Sequence, residues 1–479
     1  PVHRCYRNRG QWKFEDVTGL CGLPDSGYSA GVAVGDFDSD GFPDLYVTCI
    51  GANRLYRNLG DGTFQDVSDS SGVNDDKWAT SAAFLDYDSD GLLDIYVCNY
   101  AKWKYADRKF CGNRSRGVRI FCSPRSVQPE MDRLFRNLGD GTFRDVTEQS
   151  QIGVRSSRAQ GVLAADVNHD GFTDLYVGND LHPNSLFIND GQGRFLDASE
   201  QSGAAYSYRG AAQAGMGVAG ADVNRDGHWD LFVTNFEREY NTLYLNNQSA
   251  IFADQSRSAG LADGSRRWIG WGTAFVDFDL DGWKDLMVTN GHVDDNLEKL
   301  GRDAQYSQPA IVWHNREGIF HQLGGAVGSY FQLPHPGRGL ATVDLDNDGD
   351  TDIVITQQDQ YPALLRNDSR SSLKTARGSI SIRLIGTSGN RDAVGATLRI
   401  SDSTGTRIEQ IQGGGSYLCA HDLRRIIAVT NPEERLQGEV VWPGGARSSI
   451  SGMKTDGQYV IIEPRQETQS IPALRLLQE

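Results

Sequence analysis

Short apolar runs split by an acidic turn recur six times along the chain. They read GVAVGDFDSDGFPDLYV at 31–47, AAFLDYDSDGLLDIYV at 82–97, VLAADVNHDGFTDLYV at 162–177, VAGADVNRDGHWDLFV at 218–233, TAFVDFDLDGWKDLMV at 273–288 and LATVDLDNDGDTDIVI at 340–355. Runs of Leu, Ile, Val, Tyr and Phe on both sides of a tight turn predict a hairpin of two buried strands. A second hairpin lies between successive units, as NRLYRNLGDGTFQDVS at 53–68, DRLFRNLGDGTFRDVT at 132–147, NSLFINDGQGRFLDAS at 184–199 and NTLYLNNQSAIFADQS at 241–256. Its Gly-rich turn is a strand-turn-strand signal. Four short strands in a period of roughly 50 residues is the pattern of a propeller blade.

The pattern predicts an all-β chain: a β-propeller followed by a smaller β-domain. HRCYRNRGQWKFEDVT at 3–18 is a second hairpin with no acidic hairpin before it. Seven blades are favoured on that count, and six result if the N-terminal strands complete the last blade. Insertions at 101–130 and 291–312 break the rhythm, and loops of that length are more often functional than structural. We place the propeller at 1–370, the second domain at 378–465, where apolar and polar residues alternate, and a polar tail at 466–479.

Composition narrows the function. A net charge of -16 with no Lys/Arg cluster argues against nucleic acid and for cations. No stretch approaches the roughly 18 to 20 apolar residues of a membrane-spanning helix. Pro1 at the start fits a processed chain or a fragment. Cys5 with Cys21, and Cys111 with Cys122, sit in loop-like contexts that suit short disulfides, with buried free thiols as the alternative. Disulfides favour an oxidising compartment, so the expected location is secreted, periplasmic or at the cell surface. Cys419 is the candidate unpaired thiol, and Asn113, Asn247 and Asn367 open glycosylation tripeptides.

Each acidic turn fits D-x-[DN]-x-D-G-x-x-D. Side-chain oxygens fall at positions 1, 3, 5 and 9, a main-chain carbonyl is available at 7, and Gly at 6 permits the sharp bend. Loop 1 offers Asp36, Asp38, Asp40, Phe42 through its carbonyl, and Asp44; loop 2 offers Asp86, Asp88, Asp90, Leu92 and Asp94. Loop 3 offers Asp166, Asn168, Asp170, Phe172 and Asp174, and loop 4 offers Asp222, Asn224, Asp226, His228 and Asp230. Loop 5 offers Asp277, Asp279, Asp281, Trp283 and Asp285, and loop 6 offers Asp344, Asp346, Asp348, Asp350 and Asp352. Calcium takes six to eight oxygens, so about six calcium sites are expected. Six such ions would move the formal charge from -16 to -4. The pattern argues against an EF-hand, since position 12 lacks Glu and strand-like runs replace the flanking helices.

These hairpins resemble the FG-GAP/VCBS repeats of integrin-α-type propellers. NRDAVGATLRI at 390–400, GGGSYLCAHD at 413–422 and VVWPGG at 440–445 resemble the ASPIC/UnbV domain, although CAHDLRRIIAV is an atypical continuation. Together they match bacterial relatives of cartilage acidic protein. The resemblance implies secretion, a seven-bladed ring, structural calcium and a role in adhesion or matrix contact.

Propellers commonly bind at one end of the central channel. The candidate ligand residues are Trp103, His182, Trp271, His292 and Asp294, whose aromatic and polar mixture suits a glycan or protein partner. Blade packing is the alternative role for Trp271, and a loop hydrogen bond is the alternative for His292. The second functional reading is a calcium-dependent polysaccharide lyase or hydrolase working in the channel, with a His or Asp as general base. The sequence shows no nucleophile elbow, phosphate loop or paired acid/base spacing.

Overall fold

The computed structural model describes residues 3–24, 27–372 and 377–464, so the tail expected at 466–479 lies outside the described residues. Each acidic turn joins two antiparallel strands, such as Ala159–Ala165 with Asp174–Asn179 in blade 3. The second hairpin extends the same sheet, through Ser185–Asn189 and Phe195–Asp197. Blades 1 to 5 repeat this four-strand order, and blade 6 has three strands, Gly337–Val343, Asp352–Gln357 and Ala363–Leu365. The innermost strands are apolar on both faces because neighbouring blades cover them. All of Ala159–Ala165 and Val218–Ala221 is buried.

One contact repeats around the ring. In blades 2 to 6 an Asn at the end of the third strand has an amide that reaches the loop of the blade before it. Asn137 donates to Phe37 O at 2.8 Å, Asn189 to Tyr87 O at 2.8 Å, Asn246 to Val167 O at 2.9 Å, Asn315 to Val223 O at 2.9 Å and Asn367 to Phe278 O at 3.0 Å. Asn367, one of the glycosylation candidates, therefore has its amide committed to the ring.

The N-terminal hairpin, Tyr6–Asn8 with Phe14–Asp16, settles the blade count. It forms its own two-stranded sheet and does not add to blade 6. Asn8 makes the recurring contact to Leu345 O at 2.7 Å, and on the other side Phe64 N donates to Cys21 O at 2.8 Å. The hairpin is the outer half of a seventh blade between blades 6 and 1. The described residues supply no inner half, which explains why Tyr28 and Val34 on the first strand of blade 1 are 65% and 36% exposed.

The second β-domain packs a three-stranded and a four-stranded sheet, with Gly378–Ile385 running parallel to Gln458–Ile462. Its Ile380, Leu398 and Trp442 share one core with Ala33, Phe37 and Phe84 of blades 1 and 2. It sits on the end of the ring that carries the acidic loops. Asp36 N donates to Asp392 at 2.8 Å, Asp166 N to Gln410 at 3.0 Å, and Arg424 to Asp344 O at 2.9 Å.

From this domain the segment 411–422 runs into the middle of the ring. Gly415 N donates to Val162 O at 2.8 Å, Ser416 pairs with Val218, and the Ser416 hydroxyl accepts from Thr273 N at 3.1 Å. Leu418 N donates to Ser81 at 3.2 Å, Asp422 N donates to Thr342 O at 3.0 Å, and Leu418 lies against Gly31. The segment thus touches the inner strand of all six acidic-hairpin blades. Only glycine fits at 413, where a Cβ would come within 2.0 Å of Phe84 O. The segment occupies the centre of the channel and leaves a cavity between itself and the inner strands of blades 4 to 6, lined by Gly220, Phe275, Thr342 and His421.

Candidate metal centres

The six loops share one hydrogen-bonded frame. The position 1 carboxylate accepts the N–H of the position 6 glycine, at 2.8 Å for Asp36 and Gly41 and 3.2 Å for Asp344 and Gly349. The position 9 carboxylate accepts two amides, as Asp174 does from Val167 at 3.0 Å and Asn189 at 2.8 Å. The position 5 carboxylate accepts the N–H of position 7, as Asp40 does from Phe42 at 3.0 Å. Backbone shape accompanies this frame. Position 4 is left-handed in every loop although it is never Gly: Ser39, Ser89, His169, Arg225, Leu280 and Asn347 have φ between 56° and 61°. That conformation costs roughly 1–2 kcal/mol for an L-residue and persists only where the surroundings impose it.

Carboxylates are packed tightly in these frames. Ligand atoms of Asp36, Asp38 and Asp40 lie within 4.8 Å of one another, as do those of Asp86, Asp88 and Asp90, of Asp277, Asp279 and Asp281, and of Asp344, Asp346 and Asp348. Loops 3 and 4 place Asn168 and Asn224 at position 3, where each amide donates to the position 5 Asp, at 2.8 and 2.9 Å. Burial, reinforced by neighbouring carboxylates, pushes Asp36, Asp166 and Asp222 up to about 6, Asp86 to about 7 and Asp277 to about 8. Burial likewise raises Asp44 to about 8, and Asp94, Asp174 and Asp230 well above the ordinary carboxyl range.

A frame of this kind fits a cation. Among the described residues, the buried carboxylate oxygens without a hydrogen-bond partner are Oδ1 of Asp88, Asp279, Asp344, Asp346 and Asp350, all in acidic loops. Buried polar atoms are nearly always satisfied, so orphaned oxygens inside loops 2, 5 and 6 call for an ion. Asp350 departs from the expected role at position 7. Its side chain is 1% exposed with Oδ1 unpaired, so loop 6 offers a fifth carboxylate.

The FG-GAP-like repeat family matches residues 3–47, 38–97, 120–177, 166–233 and 222–288, segments that take in five of these loops. The chain belongs to the FG-GAP-like repeat family. Residues 386–468 match the ASPIC and UnbV family, which accounts for the domain on the acidic-loop end of the FG-GAP ring. The chain is similar to cartilage acidic protein 1 of Xenopus tropicalis, at 24% identity over 331 residues, covering 66% of this chain and 46% of that protein. The Homo sapiens protein of the same name matches at 24% over 358 residues, covering 71% and 49%. The FG-GAP chain thus spans about half the length of the curated relatives it matches. A solved Agrocybe aegerita lectin that recognises non-reducing terminal N-acetylglucosamine matches at 16% identity and a TM-score of 0.43, over 76% of this chain and 88% of that one.

The candidate ligand residues all lie at the opposite end of the FG-GAP ring, in two groups. Trp103 packs at a tilt against Trp78, which in turn meets Tyr100, and the Tyr100 hydroxyl donates to Asp180 at 2.7 Å. His182 lies 3.1 Å from Arg158 in this first group. In the second, Trp271 is buried between Tyr417 and the Arg338 guanidinium, and its N–H donates to Gly291 O at 2.7 Å. Trp271 thus packs inside the protein, the blade-packing role. His292 is buried, and its Nδ1 accepts Asp294 N at 2.9 Å, the loop role. Asp294 accepts Phe121 N at 2.7 Å, and Asn296 donates to Arg119 O at 2.7 Å. These bonds tie the two long insertions together.

Of the cysteine pairs, Cys111 and Cys122 are bridged, closing the insertion hairpin. Cys5 and Cys21 are not bridged, contrary to the expectation. The Cys21 thiol donates to Thr18 O at 3.3 Å, and the Cys5 thiol rests against it. Cys49, Cys98 and Cys419 are also free.

Proposed function

We propose that the chain is a calcium-loaded, extracellular binding module that engages a glycan or protein at the end of the ring away from its acidic loops. The loops hold calcium through the side-chain oxygens at positions 1, 3, 5 and 9, a carboxamide at position 3 of loops 3 and 4, with Asp350 as an added ligand in loop 6. Bound calcium supplies charge neutralisation and rigidity, and the residues around it do the rest of the work of joining hairpins into a ring. Hard oxygen donors without nitrogen or sulfur suit calcium in loops 1 to 4 and 6.

The observation that carries the binding reading is the occupied centre of the ring. The ASPIC/UnbV domain covers the acidic-loop end, and the segment 411–422 runs through the channel, bonded to its inner strands. What is left for a partner is the opposite end, where the disulfide-closed insertion and the 291–296 loop meet beside Trp103 and Phe121, the latter 70% exposed. Aromatic surface held by a rigid scaffold is the usual anchor for sugar or protein contacts. The disulfide supports an oxidising, extracellular setting.

A glycan array and a screen against extracellular matrix proteins, run in calcium beside a reducing-sugar release assay, test this. Saturable binding without product is expected, weakened about tenfold or more by Trp103→Ala. Sugar release abolished by His292→Ala would establish the lyase or hydrolase reading instead, and absence of any retained ligand would remove the binding reading.

A further inference from the structure

In blades 1, 2 and 5 the residue just before the third-strand Asn reaches the acidic loop of its own blade. In blade 1 it is Arg57, with Nε 2.5 Å from Asp38 and Nη2 3.3 Å from Asp40. In blade 2 it is Arg136, at 2.7 Å from Asp88 and 3.0 Å from Asp90. In blades 3 and 4, where Asn168 and Asn224 replace an Asp, the residue is Ile188 and Leu245, and in blade 6 it is Arg366. Neither a guanidinium nor an aliphatic chain can donate a lone pair to a metal ion.

Blade 5 differs. The residue there is His314, with Nδ1 3.0 Å from Asp285 Oδ1. Ligand atoms of His314, Asp279 and Asp285 lie within 4.8 Å of one another, and Asp279 Oδ1 is buried without a hydrogen-bond partner. The nearby cations are engaged elsewhere or on the other oxygen. Lys284 pairs with Glu409 at 2.5 Å, and Arg377 lies 3.2 Å from Asp279 Oδ2.

We infer that loop 5 is a mixed nitrogen and oxygen site that holds a zinc-class divalent ion in preference to calcium. This rests on the reading of the loops as cation sites. Calcium binds oxygen donors, whereas imidazole suits zinc and its neighbours in the transition series. Zinc takes His nitrogen and Asp oxygen at about 2.0–2.2 Å, so donors 3.0 Å apart can share one ion. The ring would then carry two chemical classes of metal, one of them confined to blade 5.

Cadmium NMR of the intact chain, with ¹¹³Cd²⁺ alone as the probe, tests the assignment. One resonance is expected well downfield of a cluster of oxygen-site signals, and excess calcium should displace the cluster and leave that resonance. His314→Leu and His314→Arg should each remove it and keep the cluster. The first puts into loop 5 the residue that blade 4 tolerates, and the second copies blades 1 and 2, so a folded variant is available either way. A single cluster unaltered by both substitutions, or a downfield signal that calcium displaces with the rest, overturns the inference and leaves the loops as cation sites. Absence of any bound-cadmium resonance overturns both.

Discussion

Removing divalent ions with excess EDTA is expected to lower the melting temperature by more than about ten degrees, and added calcium to restore it. One site with free ion at about a hundred times its Kd stabilises the folded state by about 2.7 kcal/mol. Several such sites in one ring give a total that exceeds the usual margin of folding stability. The loops make this strong dependence physical. Position 9 carboxylates such as Asp94, Asp174 and Asp230 are almost wholly buried, and each position 1 carboxylate is shared between its glycine turn and the ion site. Without the ion, several carboxylates within a few ångströms repel one another in a medium that screens poorly. A differential scanning calorimetry trace unaltered by EDTA contradicts this.

The second large effect is a reversal of the pH trend. Burial raises Asp36, Asp166, Asp222 and Asp352 to about 6, Asp86 and Asp350 to about 7, and Asp44 and Asp277 to about 8. In the unfolded chain these carboxyls ionise near 3.9. The ion-free folded state therefore holds more protons than the unfolded state between about pH 4 and about pH 8, and its stability falls as pH rises through that window. Calcium needs the same carboxylates ionised, so it competes with those protons, and the calcium-bound form loses stability on acidification instead. Melting temperatures taken from about pH 5 to about pH 8 should fall without calcium, hold or rise with it, and draw together at the acid end. Parallel curves would show that the loop carboxylates do not couple to the ion.

What could be read in advance followed from local order. Each loop concentrates its ligands within nine residues, so Asp36 through Asp44 could be assigned from spacing, and the strands on either side followed from their apolar runs. Contacts across long separations were not legible. The N-terminal hairpin could have served blade 6 or a seventh blade, and the distinction rests on its separate sheet and on contacts such as that from Asn8 to Leu345, 337 residues apart. GGGSYLCAHD stood out as a motif, but its place in the channel depends on six inner strands converging on it. His314 escaped notice because 29 residues separate it from Asp285. A signal did exist in the residue before the repeated Asn of the second hairpin, which is Arg57, Arg136, Ile188 and Leu245 in blades 1 to 4 and a potential metal ligand, His314, in blade 5. For Trp271 the sequence left blade packing and ligand contact both open, because an aromatic near a predicted loop looks the same whether it faces solvent or Arg338 and Tyr417.

Crystals of the chain grown in saturating calcium give the most direct test. The account predicts cation density inside each of the six acidic loops, contacted by carboxylates from Asp36 to Asp44 in the first and from Asp344 to Asp352 in the last. Loops that stay free of any cation under those conditions would contradict it.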